Sequence, residues 1–365
     1  MSDLERASSG EETTQKGCGS CWRRGVNAVK KPTELSMSDL NPKTWFKVKR
    51  DDQWSFRKIQ WKTILRRQDH AGLILIVIFY VATGVVHYAV DPRVNDFYLY
   101  DATISYPPAS KRGFSPTVPS WAAIFIPLLM SIATLIVGEL YYSRSEHLCL
   151  TDAIAVIIYF LLDLLQAVGL ALLTTEATKV AVGRYRPDFL ARCAPADPGT
   201  VTLEYGNSTI GMYPCDVDLY GQSTIDDGRQ SYPSGHASFS FTLGTYGAGY
   251  MIWCWNMRHP WSPRSRGPKK EFLSDLGNVI AKIWTCCLLG VPWGIGCTRI
   301  IDYQHNVSDV VAGTLLGLTI ATIFLLRAVP RFKRVLTYVA EDEEEEEHEQ
   351  QGDDISQRVE QQEYS

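Results

Sequence analysis

Six long apolar runs constrain the fold of this chain more than any other feature of its sequence. They cover approximately residues 71–90, 119–142, 153–175, 235–255, 278–297 and 310–326. A helix needs roughly 20 apolar residues to cross a bilayer core about 30 Å thick, and each run approaches that length. We therefore expect an all-α fold, a bundle of six transmembrane helices. The fourth run is rich in Gly, Ser and Thr, which is typical of a helix packed against other helices.

The average composition hides this pattern. A hydrophobic fraction of 45% would suit an ordinary soluble protein, but here the apolar residues are concentrated in the six runs and polar stretches separate them. The net charge of −4 is small, and the acidic run 341–347 lies within a single tail. Neither feature supports binding to nucleic acid, so we expect no nucleic-acid partner.

The polar ends divide the chain into three regions. Residues 1–60 and 336–365 have the low apolar content and charge bias of disordered chain, so we predict disordered cytoplasmic segments on either side of a six-span domain at 61–335. Cys18 and Cys21 have C-x-x-C spacing, but without a second pair we interpret them as an unpaired cytosolic dithiol. The N-terminal segment lacks a signal-peptide pattern, so we expect the first span to direct the chain to the membrane.

The distribution of lysine and arginine predicts the orientation of the spans. Cytoplasmic flanks carry an excess of these residues. They are frequent at 47–67, 258–270 and 327–334, and sparse in the loop after the first run. Both termini should then be cytoplasmic. The loops that should face outward are 91–118, 176–234 and 298–309.

A first cluster of polar residues follows the third run. Lys179 and Arg186-Pro187 are separated by six residues, and if the helix continued through them both cations would lie on one face about two turns apart. Two fixed cations in that position would bind an anion. The alternative is that both side chains simply extend to the membrane interface, as lysine and arginine at span ends usually do.

A second cluster, Ser231-Tyr-Pro-Ser234-Gly235-His236, marks the start of the fourth run. A hydroxyl and free backbone N–H groups at a helix start bind phosphate oxygens. His236 lies at the same helix start. Alone, it would be interpreted as a histidine hydrogen-bonded in a loop.

A third cluster, Arg299-x5-His305-x3-Asp309, leads into the sixth run. His305 and Asp309 are four residues apart, so on a helix the carboxylate could accept a hydrogen bond from one ring nitrogen. The other nitrogen would keep its lone pair, as a nucleophilic or basic histidine requires. Taken alone, this spacing more often belongs to a surface pair.

The three clusters together, in this order and on one predicted face, resemble the motifs of the type 2 phosphatidic acid phosphatase superfamily. The stretches 183–193 and 101–107 are similar to its fungal lipid phosphate phosphatase and diacylglycerol pyrophosphate phosphatase branch. The resemblance covers roughly residues 60–330. Thr298 departs from it, since the third motif usually opens with Ser, but a hydroxyl is retained.

The resemblance implies a metal-independent enzyme without a cofactor, whose active site lies at the non-cytoplasmic membrane face. His305 would attack phosphorus to form a phosphohistidine, Asp309 would orient it, and His236 would protonate the leaving oxygen. The groups expected to hold the three phosphate oxygens are Lys179, Arg186, Ser234, the Gly235 amide and Arg299. Their cations would supply the charge that a metal supplies elsewhere.

The expected function is therefore hydrolysis of lipid phosphates such as phosphatidate or diacylglycerol pyrophosphate by a multi-pass protein of an endomembrane or the plasma membrane. Its partners would be the lipid substrate and membrane lipids. A polyprenyl pyrophosphate phosphatase or a lipid phosphotransferase of the same superfamily remains an alternative. A non-catalytic scaffold would be marked by loss of either histidine or of Arg299, and all three are present.

Four further features give expectations of their own. Asn207-Ser-Thr209 matches a glycosylation acceptor in an outward loop. Cys193 and Cys215 share that loop, where an oxidising compartment would allow them to pair. Asp163 is a costly carboxylate within the third run, expected to be buried against a neighbouring helix. Gly313 and Gly317 form a G-x-x-x-G pattern, which we interpret as close helix packing.

Overall fold

The structure is a computed structural model that describes residues 59–95, 97, 101–107, 116–145, 150–194, 215–258 and 268–332. Within these ranges the regular elements are helices and no strand occurs. The prediction of an all-α fold is confirmed. Cys18, Cys21, Asn207 and the acidic run 341–347 lie outside the described residues, as does most of the two terminal segments.

Ten α-helices are described. They are α1 Trp61–Arg66, α2 His70–Ala89, α3 Ser120–Ser145, α4 Leu150–Val182, α5 Phe189–Cys193, α6 Val217–Tyr220, α7 Gln222–Gly228, α8 Gly235–Trp253, α9 Pro268–Ile301 and α10 Val307–Phe332. A short 3₁₀ turn, Ala102–Ile104, precedes α3, and a π-helical turn, Cys254–Arg258, follows α8.

Five of these helices are long and apolar enough to cross a membrane, namely α2, α3, α4, α9 and α10. They coincide with five of the six apolar runs. The fourth run forms α8, a helix of 19 residues that is mostly buried. This helix is not among the five, since glycine, serine and threonine lower its hydropathy, and a helix covered by protein does not need an apolar surface.

Glycines allow α8 to lie very close to its neighbours. A Cβ atom at Gly313 of α10 would be 2.5 Å from the carbonyl oxygen of Ser234, and one at Gly317 would be 2.5 Å from that of Ser238. On the α9 side, a Cβ atom at Gly244 would be 2.1 Å from the carbonyl oxygen of Leu288. The interpretation of the G-x-x-x-G pattern as close helix packing is confirmed.

Residue contacts divide the chain into two compact units. The larger unit comprises Asp69–Leu140 and Ile157–Pro330 and contains all three motifs. The smaller unit includes residues 59–68 and Tyr141–Val156. Within the smaller unit, Arg67 donates to a carboxylate oxygen of Asp152 at 2.8 Å, which joins the end of α1 to the start of α4.

Two carboxylates within the spans of the larger unit are paired with tyrosines. Tyr246 donates to Asp163 at 2.9 Å, and Tyr250 donates to Glu139 at 2.6 Å. Both tyrosines lie on α8. The expected burial of Asp163 is confirmed, and its partner explains how α4 tolerates a carboxylate: the acid accepts a hydrogen bond from the helix packed against it.

A small apolar cluster and a disulfide organise the segments beyond the end of α4. The disulfide joins Cys193 to Cys215, as expected from the sequence. The cluster consists of Phe97, Ile104, Tyr185, Phe189, Cys193 and Ile225. The Asn95 side chain donates to the carbonyl oxygens of Val182 and Gly183 at 2.8 Å. These contacts hold the segment that follows α4, where the first motif continues.

Candidate active site

The first motif is split by the end of α4. Lys179 lies on the last turn of that helix, which ends at Val182, and Gly183 then adopts a φ of +61°. Only glycine adopts this left-handed conformation readily, and a Cβ atom there would be 2.1 Å from the Arg93 carbonyl oxygen. Arg186 therefore lies in a loop. The prediction that Lys179 and Arg186 share one helix face is wrong.

The second motif forms the start of α8. Ser234 is the N-cap residue, and its buried hydroxyl has no hydrogen-bond partner within the described part of the chain. A Cβ atom at Gly235 would be 3.2 Å from the ammonium nitrogen of Lys179. A helix N-terminus, an unpaired hydroxyl and a cation therefore meet at one point, and this combination binds anions.

His236 lies in the first turn of α8, and its side chain makes no hydrogen bond to any residue that the structure describes. The charges of Arg299, Arg186 and Lys179 all act on its ring. The structure thus brings the second histidine together with the cations of the first and third motifs. Its two ring nitrogens remain available to a bound molecule.

The third motif places His305 in a turn between α9 and α10, and the side chain is only 2% exposed. Its Nδ1 atom lies 2.7 Å from the carbonyl oxygen of Ser231. A carbonyl oxygen only accepts hydrogen bonds, so Nδ1 must carry the proton. The Nε2 atom then has a free lone pair, which is the form that a nucleophile needs.

Asp309 does not bond to the His305 ring. Its nearer carboxylate oxygen is 4.0 Å from Nδ1, beyond hydrogen-bond distance. The prediction of a direct bond between the two side chains is wrong, because residues 302–306 form a turn and His305 does not share a helix with Asp309.

The Asp309 carboxylate instead joins three segments. It accepts from the Ser231 hydroxyl at 2.6 Å, from the Arg184 guanidinium at 2.7 Å and from the Asn306 amide at 2.9 Å. Ser231 consequently contacts both Asp309 and His305, since its hydroxyl donates to the Asp309 carboxylate while its carbonyl accepts from the His305 ring. Sequence analysis did not single out Ser231 or Arg184 for these contacts, because each depends on atoms that only folding brings together.

Arg186 is held mainly by a residue that belongs to none of the three motifs. Its Nε atom donates to the carbonyl oxygen of Asp227 at 2.8 Å, and Nη2 donates to the carboxylate of the same residue at 2.5 Å. The backbone N–H of Arg186 also donates to Gly228 at 2.8 Å. Its Nη1 atom has no partner in the described part of the chain and remains open to an anion.

Arg299 is completely buried at the end of α9. Its guanidinium donates to the Val118 carbonyl at 2.7 Å and to the Gln304 side chain at 3.1 Å. The Thr298 hydroxyl accepts from it at 3.2 Å, so this hydroxyl retains a contact within the motif. The carboxylate of Asp302 lies 3.6 Å away. These contacts fix the guanidinium before any ligand binds.

The environment keeps His305 neutral. Burial lowers the pKa of its imidazole well below the usual 6.5, and the positive charge of Arg186 lowers it further. Burial also lowers the pKa of Arg186, but the Asp227 carboxylate opposes this effect, and the guanidinium stays charged at neutral pH. The site therefore combines a neutral imidazole with fixed cations.

No group of three or more His, Cys, Asp or Glu side chains within the described ranges is arranged to hold a metal ion. The arrangement can bind a tetrahedral anion between Lys179, Arg186, Arg299 and the start of α8. His305 and His236 would then both lie beside it.

Comparison with known proteins identifies the family of this chain. The profile of the PAP2 superfamily matches residues 160–333, the range that contains all three motifs. Lipid phosphate phosphatase 2 of Arabidopsis thaliana is 30% identical over 73% of this chain and 79% of its own length. The chain belongs to the PAP2 superfamily. The resemblance drawn from the motifs is confirmed.

Two other relatives illustrate the range of matches to this PAP2 protein. Probable diacylglycerol pyrophosphate phosphatase 1 of Schizosaccharomyces pombe is 29% identical over 72% of the chain and 81% of its own length. A PA-phosphatase related-family protein of Dictyostelium discoideum is 30% identical over 56% of the chain, and the match spans 58% of that relative. No solved structure matches the chain.

Proposed function

We propose that this PAP2 protein is a membrane-bound lipid phosphate phosphatase that hydrolyses phosphatidate, diacylglycerol pyrophosphate or related lipids through a phosphohistidine, without a metal. One observation carries the proposal: the carbonyl oxygen of Ser231 lies 2.7 Å from Nδ1 of His305. This contact fixes the proton on Nδ1 and leaves Nε2 free, next to a site built to bind an anion. The names of the Arabidopsis and Schizosaccharomyces relatives support lipid phosphates as the substrate class.

In the first step the Nε2 lone pair of His305 attacks phosphorus. The bond between phosphorus and the lipid oxygen breaks as the nitrogen–phosphorus bond forms, and the leaving oxygen takes a proton from His236. The negative charge of the bound phosphate favours the protonated form of His236, so the substrate itself helps to prepare the acid. The products of this step are phosphohistidine and the lipid alcohol, or the lipid monophosphate when the substrate is a pyrophosphate.

In the second step water attacks the phosphohistidine. His236 has lost its proton in the first step and now accepts one from the water, acting as general base. The nitrogen–phosphorus bond breaks, inorganic phosphate is released, and the lone pair returns to Nε2 of His305. The proton stays on Nδ1 of His305 throughout, in a hydrogen bond to the Ser231 carbonyl.

The cations stabilise the charge that develops on the three equatorial oxygens in both steps. Arg299 is fixed by protein acceptors before substrate binds, so little reorganisation accompanies the reaction. Lys179 and the open Nη1 of Arg186 complete the set. The Ser234 hydroxyl and the Gly235 amide add donors from the start of α8.

We further propose that Asp309 acts through Ser231 and not on the ring directly. The carboxylate holds the Ser231 hydroxyl at 2.6 Å, which fixes the position of the carbonyl that orients His305. Asp309 is in this view a positioning residue.

The site is proposed to face the lumen or the exterior. All three motifs lie at ends of helices that meet, namely the C-terminal ends of α4 and α9 and the N-terminal ends of α8 and α10, which supports a single membrane face. The abundance of lysine and arginine at 47–67 and 327–334 supports the opposite face as cytoplasmic.

The test is release of inorganic phosphate by the purified protein from phosphatidate, lysophosphatidate, diacylglycerol pyrophosphate and polyprenyl pyrophosphate, with and without EDTA. We expect hydrolysis of the glycerol-based lipids in EDTA and none by His305→Ala. Preferential hydrolysis of the polyprenyl substrate, transfer to an added alcohol without release of phosphate, or loss of activity in EDTA that magnesium restores would contradict the proposal.

A further inference from the structure

The carboxylate of Asp227 lies between two cations at the edge of the candidate site. One oxygen accepts from Nη2 of Arg186 at 2.5 Å, and the other accepts from Nη1 of Arg192 at 2.8 Å. Asp227 belongs to α7, which precedes the second motif, and about half of its side chain is exposed. Its negative charge is thus beside a guanidinium proposed to bind phosphate.

Backbone carbonyls also hold Arg186 in place, independently of this carboxylate. The backbone carbonyl of Asp227 accepts from Nε of Arg186 at 2.8 Å, and the Arg186 amide donates to the Gly228 carbonyl at 2.8 Å. Both contacts survive a change of the Asp227 side chain. The carboxylate therefore contributes charge at a position where the backbone already supplies the orientation.

From this geometry we infer that Asp227 limits how tightly Arg186 holds phosphate, and so promotes release of the inorganic phosphate product. The inference rests on the proposed function. A phosphate bound to the open Nη1 and the carboxylate on Nη2 would share one guanidinium. Two anions at such a short distance repel each other. Arg186 thus binds an additional anion more weakly than an unpaired arginine would.

Product release makes such a limit useful. Inorganic phosphate offers the same oxygens to the cations as the substrate does, so a site that holds phosphate strongly also retains its product. Binding that is equally strong for the substrate and the transition state lowers KM without raising kcat, and contacts to the phosphate oxygens that the product shares are of this kind. A nearby carboxylate weakens this uniform binding and leaves the transition-state contacts of Arg299 unchanged.

The experiment measures the inhibition constant of inorganic phosphate for Asp227→Asn, which removes the charge and keeps the shape. We expect this inhibition constant to fall about tenfold, because the repulsion between the carboxylate and the bound phosphate is removed. Solvent at the half-exposed carboxylate screens part of that repulsion, so the change is not larger. KM should fall with it, and kcat should not rise. Asp227→Glu, which retains the charge, should behave like the wild type.

Asp226→Asn is the matched control. It makes the same chemical change one residue earlier, on a carboxylate that pairs with Arg229 at 3.0 Å and not with Arg186. We expect its phosphate inhibition constant to equal that of the wild type. Asp227→Ser is a second charge-removing variant that keeps the backbone carbonyl, and it should also bind phosphate more tightly.

A direct titration of the purified protein with inorganic phosphate separates this inference from the proposed function, because it requires no lipid hydrolysis. Tighter phosphate binding by Asp227→Asn and Asp227→Ser supports the inference even where the lipid panel fails. Unchanged or weaker binding by the folded variants overturns it even where the wild type hydrolyses every lipid offered. An equal increase in phosphate affinity in Asp226→Asn would also overturn it, since the effect would then be a general one of surface charge.

Discussion

Removal of the Ser231 hydroxyl tests how His305 is held. In Ser231→Ala the backbone carbonyl remains next to Nδ1 of His305, but the bond of 2.6 Å to the Asp309 carboxylate is lost. A hydrogen bond to a charged group contributes about 1.5–3 kcal/mol. If this free energy serves to fix the carbonyl for catalysis, its loss lowers kcat by about 10- to 150-fold.

The phosphate ligands do not change in this variant, so KM should stay close to that of the wild type. The assay is steady-state release of phosphate from phosphatidate in mixed micelles, together with rapid-quench measurement of the phosphoenzyme. Phosphoenzyme formation should slow by the same factor as kcat, since the nucleophile is the group affected. Thermal unfolding of the variant shows how much of the lost free energy appears as reduced folding stability and not as reduced kcat.

Ser308→Ala is the control for this prediction. The Ser308 hydroxyl accepts from Arg184 at 2.7 Å in the same cluster, but it is exposed and does not contact Ser231 or His305. We expect less than about a threefold change in kcat, since a surface substitution is usually worth within 0.5 kcal/mol. Wild-type kcat in a stable Ser231→Ala enzyme would refute the indirect role of Asp309, because a direct contact between Asp309 and His305 does not require this hydroxyl.

Three further predictions follow from the same structure. Because the neutral imidazole is the reactive form and burial lowers the pKa of His305 well below 6.5, phosphoenzyme formation from p-nitrophenyl phosphate should not decline as the pH falls through 6.5; a decline centred there and assigned to His305 would contradict the burial effect. His236→Ala should be partly rescued in phosphoenzyme formation by p-nitrophenyl phosphate, whose leaving group needs no proton, whereas His305→Ala should form no phosphoenzyme with any ester. Gly313→Ala should destabilise the protein by about 1–3 kcal/mol and reduce activity, because the new Cβ would lie 2.5 Å from the Ser234 carbonyl at the start of α8. The control is Gly290→Ala, where a new Cβ would meet no neighbouring atom within 4 Å. Equal thermal unfolding of the two variants would count against close packing at Gly313.

The helices and the residues of the site were predictable because they depend on local patterns. Apolar runs of about 20 residues predicted six spans, and the fourth run was recognised as a helix packed against other helices from its glycine, serine and threonine. The three motifs predicted which side chains meet. The structure places Lys179, the start of α8 and the Arg299 segment around the two histidines, as the order of the motifs suggested.

The connections between these side chains were not predictable in the same way. The expected bond between Asp309 and His305 assumed a continuous helix, whereas a turn at 302–306 separates them and Ser231 provides the acceptor. The shared face of Lys179 and Arg186 assumed that α4 continues past Gly183. Asp227 gave no signal at all, since an aspartate in a polar loop is common and its contact with Arg186 spans 41 residues of sequence.

The disulfide between Cys193 and Cys215 would link completion of the proposed phosphate site to the oxidation of two thiols. Cys193 follows Arg192 at the end of α5, and Arg192 holds the Asp227 carboxylate that accepts from Arg186. In the chain-entropy account, closing a loop of this length stabilises the folded protein by about 3 kcal/mol. We expect newly made chains to lack this stabilisation until thiol oxidation, so the phosphate site would be completed only after the loop reaches an oxidising compartment, and lipids met before that point would be spared.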